Sequence, residues 1–246
     1  MNVSLYQAAS ALSANARWQE VVSENLASAS VPGYKKQELS FAAIQAGMLN
    51  AQPGAAQVSL PRAESATSFQ PGEARYTGVN TDVAIDGAGF FEIQLANGAT
   101  GYTRDGEFQV NAQGQLVTKQ GFLVQGENGP IQMDRSISGP ISIAATGEVS
   151  QGSEVRGKLK LVDFNDPQLL RPINGGSFLA DNPNLQTKEV AQPSLRQGYL
   201  ESANTTAVLE MANLIRVMRG FEANQRLVQM QDERMGRAIS ELGNPM

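Results

Sequence analysis

Two pairs of carboxylates stand close enough along the chain to suggest acid–base work: Asp86 with Glu92, and Asp105 with Glu107. One acid held protonated beside another held ionised is the arrangement that cleaves glycosidic bonds. Both pairs also lie among turn residues and alternating strand positions, where solvated carboxylates are ordinary, and that reading outweighs catalysis. The run DVAIDGAG, Asp82 to Gly89, opens like a calcium loop, but Ala84 and Ile93 fill places where an EF-hand needs oxygen ligands. A hairpin turn is expected there, and no metal. Gly87-Ala88-Gly89 lacks the third glycine and the following helix of a dinucleotide loop, so it reads as a turn or bulge.

The residue types that are missing exclude more than these motifs suggest. The 246-residue chain contains no cysteine and no histidine. Thiolate nucleophiles, disulfides, zinc fingers and imidazole-based triads are therefore impossible. No Ser-x-x-Lys occurs, which removes the common serine–lysine arrangement. A formal charge of −5 provides no basic field for nucleic acid. No apolar run approaches the ~18 residues needed to cross a bilayer, and MNVSLYQAAS lacks the basic and apolar regions of a cleavable secretory signal. No catalytic, cofactor-binding or metal-binding residue is assigned, and no enzyme is expected. A carboxylate-based hydrolase or glycan-binding module on a helical stalk is the rival reading; an aromatic content of 6% counts against sugar stacking.

Four textures divide the chain. Residues 1–30 have few helix breakers, and residues 31–70 are rich in Ala, Gln, Ser and Pro, as in a linker or extended segment. Residues 71–200 alternate short β-prone runs with turns. Asn97-Gly98, Asp105-Gly106 and Asn111 to Gly114 mark turns, because these residues accept the backbone angles of tight hairpins. Lys158 to Phe164, KLKLVDF, reads as a half-buried strand. Residues 201–246 return to a helical pattern. The expected class is α+β: paired long terminal helices, 1–30 with 201–246, forming a coiled-coil inner domain, plus a central glycine-rich all-β domain.

The last segment carries the clearest period. Stepping alternately four and three from Ala207 reaches Met211, Leu214, Met218, Phe221, Gln225, Val228, Asp232, Met235, Ile239 and Leu242. This 3.5-residue repeat is the pattern of a coiled coil, and its two polar positions favour register over stability. A helix from about Ala203 to Leu242 would be ~60 Å long. The first segment repeats more weakly through Leu5, Ala8, Leu12, Asn15, Gln19, Val22 and Leu26. Each helix is marginal alone, and each has the other as its natural partner.

Ala11 to Gln37, ALSANARWQEVVSENLASASVPGYKKQ, resembles the amino-terminal signature of the flagellar rod and hook proteins, through Asn25-Leu26-Ala27 and Gly33-Tyr34-Lys35. Ser28 and Val31 depart from that signature, which usually has Asn and Thr at those places. Gly198 to Val228 resembles the family's closing segment, with Glu210-Met211, Ile215, Arg219 and Phe221-Glu222 at matching positions. TDVAIDGAGFFEI and GYTRDGEFQVNAQGQLV match its middle. The resemblance implies export through the flagellar type III apparatus and polymerisation into the axial structure of the basal body. It also implies terminal helices paired in an inner tube, with the β domain outside. The implied partners are other rod and hook subunits, further copies of the chain and the export apparatus. The short stretch from Tyr34 to Thr81 resembles proximal-rod members more than distal-rod or hook members. Repeat and resemblance together place an assembly interface on Leu5, Leu12, Val22, Asn25, Leu26, Met211, Leu214, Met218, Phe221, Val228, Met235, Ile239 and Leu242. Pro32, Gly33 and Tyr34 are expected to form the turn by which the chain leaves the first helix.

Overall fold

The computed structural model describes residues 3–46, 58–137, 139–173, 175–190 and 192–242. Side chains are described over 9–40 and 64–237, apart from the same single positions, and at 240. The chain divides into two compact units. One comprises Met1–Ala27, Gln37–Ala66 and Ala207–Met246; the other comprises Ser28–Lys36 and Thr67–Thr206.

The first unit holds two helices, α1 (Val3–Ser28) and α2 (Ala207–Leu242), and the strands Gln37–Ala46 and Val58–Thr67, which pair with each other. The expected linker therefore contains ten-residue strands, and Ser40 Oγ reaches the Glu64 carbonyl across them at 3.3 Å. At 36 residues α2 is ~54 Å long. It starts at Ala207 rather than Ala203. The Ser202 and Asn204 amides donate to the Glu73 and Tyr34 carbonyls, so this stretch stays extended. No described helix is long and apolar enough to cross a membrane.

The second unit is β structure. Among its described residues ten strands form the principal sheet, whose central path runs Arg171–Ile173, Ser177–Leu179, Thr100–Thr103, Phe90–Gln94, Leu123–Gly126, Leu116–Thr118 and Phe108–Val110. Its core is in two parts. Phe91, Phe108, Leu116, Val124, Leu159 and Leu161 belong to one apolar cluster; Phe90, Tyr102, Val162, Phe164 and Phe178 belong to the other. Neighbours such as Phe90 and Phe91, or Leu161 and Val162, enter different clusters because successive strand side chains face opposite ways. The half-buried strand expected over Lys158 to Phe164 is thus split: Lys158 ends the strand Glu154–Lys158, and Leu161–Phe164 is a separate strand covered on both faces.

The turn chemistry is local and matches expectation at two of the three expected turns; Asp105-Gly106 instead links Thr100–Thr103 to Phe108–Val110, which do not pair with each other, and Gly106 lies outside the positive-φ region. Asn97-Gly98 joins Phe90–Gln94 to Thr100–Thr103 in antiparallel register, with Gly98 at φ 81°. Residues 111–114 likewise join Phe108–Val110 to Leu116–Thr118. Asp82 to Gly89 differs from expectation and is not a hairpin turn. Val83–Ile85 pairs with Leu195–Gln197, whereas Phe90–Gln94 pairs with three other strands. The segment between them is a corner at which the chain changes partners.

Candidate functional site

α1 ends as its composition requires. The Val31 amide donates back to Ser28 at 3.0 Å, and Pro32 has no amide with which to continue the helix. Gly33 then takes φ 67°, and its amide donates to the Glu201 carbonyl at 2.7 Å. Its α-carbon lies against the Arg104–Asp105 peptide: an added Cβ would stand 2.3 Å from the Arg104 carbonyl carbon. Gly33, Tyr34 and Lys35 are all buried.

Behind this turn lies a buried ionic clamp. Lys35 Nζ donates to Glu201 Oε1 at 2.5 Å and to the Gln70 carbonyl at 2.9 Å. Arg104 Nη1 donates to Glu201 Oε2 at 3.3 Å, and the Gly72 amide donates to Oε1 at 2.8 Å. Burial pushes the Lys35 ammonium and the Arg104 guanidinium below their ordinary pKa values, and the Glu201 carboxylate opposes both shifts. Asn204 closes the arrangement. It accepts from the Lys36 amide at 2.7 Å and donates to the Ser68 and Gln70 carbonyls. One carboxylate and one amide thereby hold segments near residues 34, 70, 104 and 202 together.

The clamp floors a cavity of about 530 Å³ whose walls include Phe69, Phe90, Asp86, Asp163 and Arg196. Its charged groups balance, and three of the four candidate carboxylates are taken up in ion pairs. Asp86 pairs with Arg196 at 2.5 Å, Glu92 with Lys160 at 2.9 Å, and Glu107 with Lys119 at 3.0 Å. Asp105 is buried, and its carboxyl is raised to about 6, chiefly by desolvation. No group of three or more acidic residues able to hold a metal occurs among the described residues.

In the first unit, Asn25 is buried and pairs with Gln37 like a strand neighbour. Its Nδ2 donates to the Gln37 carbonyl at 2.8 Å, and its Oδ1 accepts the Gln37 amide at 2.9 Å. Asn25→Ala would strand both backbone groups, at an expected cost of about 2 kcal/mol. The exposed neighbour Gln19→Ala should stay within ~0.5 kcal/mol. Urea unfolding followed through the single tryptophan, Trp18, separates the two outcomes.

The remaining sequence-expected interface residues split. Val22 is buried, and Leu12, Leu26, Leu214, Phe221 and Val228 are half-buried. Met211, Met218 and Met235 are 54%, 49% and 44% exposed. Leu5, Ile239 and Leu242 have helical backbone, but their side chains fall outside the described residues. On α2 the covered stripe runs Glu210, Leu214, Val217, Phe221, Asn224, Val228 and Gln231, with Val217 fully buried. It keeps the 3.5 spacing but turns the methionine row away. On α1 the covered stripe runs through Ala11, Ala14, Trp18, Val21 and Asn25, one residue before the expected seam, and leaves Gln19 exposed. Gly220 of α2 lies near Asn15 of α1: an added Cβ would be 3.6 Å from Asn15 Nδ2.

Three family models match in chain order. Residues 5–35 match the flagella basal body rod protein model, and residues 84–151 the flagellar hook protein FlgE/F/G D1 domain. Residues 196–241 match the flagellar basal body rod FlgEFG protein C-terminal model. The flagellar basal-body rod protein FlgF of Salmonella typhimurium is 35% identical over 97% of both chains. FlgF of Caulobacter vibrioides is 32% identical over 91% of both. FlgG of Borreliella burgdorferi is 30% identical over 94% of this chain and 96% of its own. The chain belongs to the flagellar basal-body rod protein family. Its relatives are structural rod proteins, not enzymes.

In this rod-family chain, the family's Gly33-Tyr34-Lys35 and Gly198 to Asn204 motifs meet at the clamp. Sequence reasoning assigned no role to Lys35, Arg104, Glu201 or Asn204. The available signal was that three of the four lie inside the quoted terminal motifs, and Arg104 inside the central one.

Proposed function

We propose that this rod-family chain is a proximal-rod subunit. It polymerises with copies of itself and with neighbouring rod and hook subunits through terminal helices packed as a coiled coil, after passing the flagellar type III export apparatus. In this reading residues 1–30 and 201–246 build the inner layer and residues 71–200 the outer one, with 31–70 bridging. The higher identity to the FlgF relatives than to the FlgG relative supports the proximal subtype.

The carrying observation is on α2. Val208, Met211, Ile215 and Met218 recur at steps of three and four and are 79%, 54%, 54% and 49% exposed. An apolar stripe of this length on a helix is uncovered in the single chain and suited to burial against other helices. Methionine also lets a surface repack between neighbours that are not identical. The test is Met211→Asp with Met218→Asp. These side chains are exposed, so subunit stability should move by no more than ~0.5 kcal/mol per site. Incorporation into basal bodies, scored in isolated rods from complemented cells, should be lost. Normal incorporation of a stable double variant would overturn the proposal. Leu214 and Phe221 are poorer probes, because their half-buried side chains would confuse folding with assembly.

A further inference from the structure

We propose that Asp105 is a pH-operated latch on the exit turn: as a neutral acid it keeps the Thr103–Glu107 loop closed under Gly33, and its ionisation loosens that seat. This inference does not depend on the assembly proposal, since every group in it lies within the β unit.

Three observations converge on one peptide. Asp105 is 2% exposed, and its Oδ2 is buried with no hydrogen-bond partner among the described residues. Its other oxygen accepts only one amide, from Glu107 at 2.9 Å. The Arg104–Asp105 peptide is also the surface on which Gly33 rests, with no room for even a methyl group. A carboxylate needs several donors to be stable away from water, and this one has too few.

The surrounding charges do not make up the deficit. Glu107 on the same loop and Asp82, which precedes the strand Val83–Ile85, both disfavour ionisation. Lys119, beyond the strand Leu116–Thr118, favours it, but its ammonium is exposed and paired with Glu107. On the exit side, Lys35 and Arg104 are both committed to Glu201.

The acid titrates at about 6 in the fold, against 3.8 for an ordinary aspartate. The folded form therefore holds the proton more tightly than the open form. The acid's contribution to closure is fully present below 3.8 and is lost as pH rises through about 6. Thr103 Oγ1, which accepts the Asp105 amide at 3.0 Å, and the Gly33 amide bonded to Glu201 are the contacts that yield first.

Amide hydrogen exchange on the full-length protein tests this. After correction for intrinsic rates, protection of the Gly33 amide should fall about 10-fold between pH 5 and pH 7.5, since only the one pKa unit between pH 5 and the acid's titration at about 6 remains to be lost and each unit corresponds to a factor of ten. The Leu116 amide, bonded to the Ile131 carbonyl in the core, serves as the unaffected reference. In Asp105→Asn the pH dependence at Gly33 should disappear. Because that variant could fold poorly, the carboxyl carbon of Asp105 is also titrated by NMR in the wild-type protein. An ordinary titration near 4, or a loss of Gly33 protection that persists in Asp105→Asn, would overturn the latch.

Discussion

Glu201→Ala is expected to lower the stability of the β unit by about 3–5 kcal/mol, because it leaves two buried cations without their counter-charge. The Lys35 and Glu201 side chains are only 1% and 4% exposed, so solvent cannot take over from the lost partner. The Gly72 amide loses its acceptor as well. Lys35→Met should cost less, because Glu201 would keep Arg104 and the Gly72 amide, and the methionine chain refills most of the lysine volume. The predicted order, Glu201→Ala worse than Lys35→Met, can be read from urea midpoints followed by circular dichroism in the β region. Equal losses, or a loss below about 1 kcal/mol for Glu201→Ala, would mean that the hydrogen-bonded backbone rather than the ion pair holds the exit segment.

Gly33→Ala is expected to be of similar size, for a steric reason. An alanine at φ 67° costs ~1–2 kcal/mol from its own backbone. The new Cβ would also stand 2.3 Å, 2.4 Å and 2.5 Å from the carbonyl carbon and oxygen of Arg104 and the amide nitrogen of Asp105. Those are backbone atoms and cannot rotate aside. The turn would have to leave its seat and give up the amide bond to Glu201, for a total of about 4 kcal/mol. Gly98→Ala is the matched control: φ is 81°, but nothing lies within 4 Å of the added atom. It should lose only ~1–2 kcal/mol. Thermal unfolding of the two variants side by side separates close packing from backbone preference, and equal shifts would remove the argument for a tight seat.

These two residues separate what the local sequence dictates from what it does not. Gly33 stood out because Pro32-Gly33 ends a helical run, and helix ends obey local rules. What Gly33 rests on could not be read, since Arg104 is 71 positions away in sequence. Hairpins at Asn97-Gly98 and Asn111 to Gly114 were readable for the same local reason. The corner at Asp86 to Gly89 was misread as a hairpin turn because a turn motif specifies a change of direction, not the strand that waits beyond it. Val83–Ile85 finds its partner at Leu195–Gln197, more than 100 residues on. The helical seam was half readable. The stripe that the single chain covers on α2 recurs at 3.5-residue spacing, but it is centred on Val217, and the methionine row remains at the surface.

By itself the sequence determined the class, the helical ends around a β centre, the exclusion of histidine and cysteine chemistry, and membership of the rod and hook family. These properties depend on composition, on period and on short motifs, each written within a few turns of chain. Only the tertiary structure decided which carboxylate matters. Glu201, one of many acids on a strand, becomes the centre of the clamp because Lys35 and Arg104 arrive from positions 166 and 97 residues away. Asp105, expected to be a solvated turn carboxylate rather than half of a catalytic pair, becomes a buried acid without enough donors. Burial and partnership are properties of three-dimensional neighbours, and pairing across such separations leaves no periodic trace in one chain.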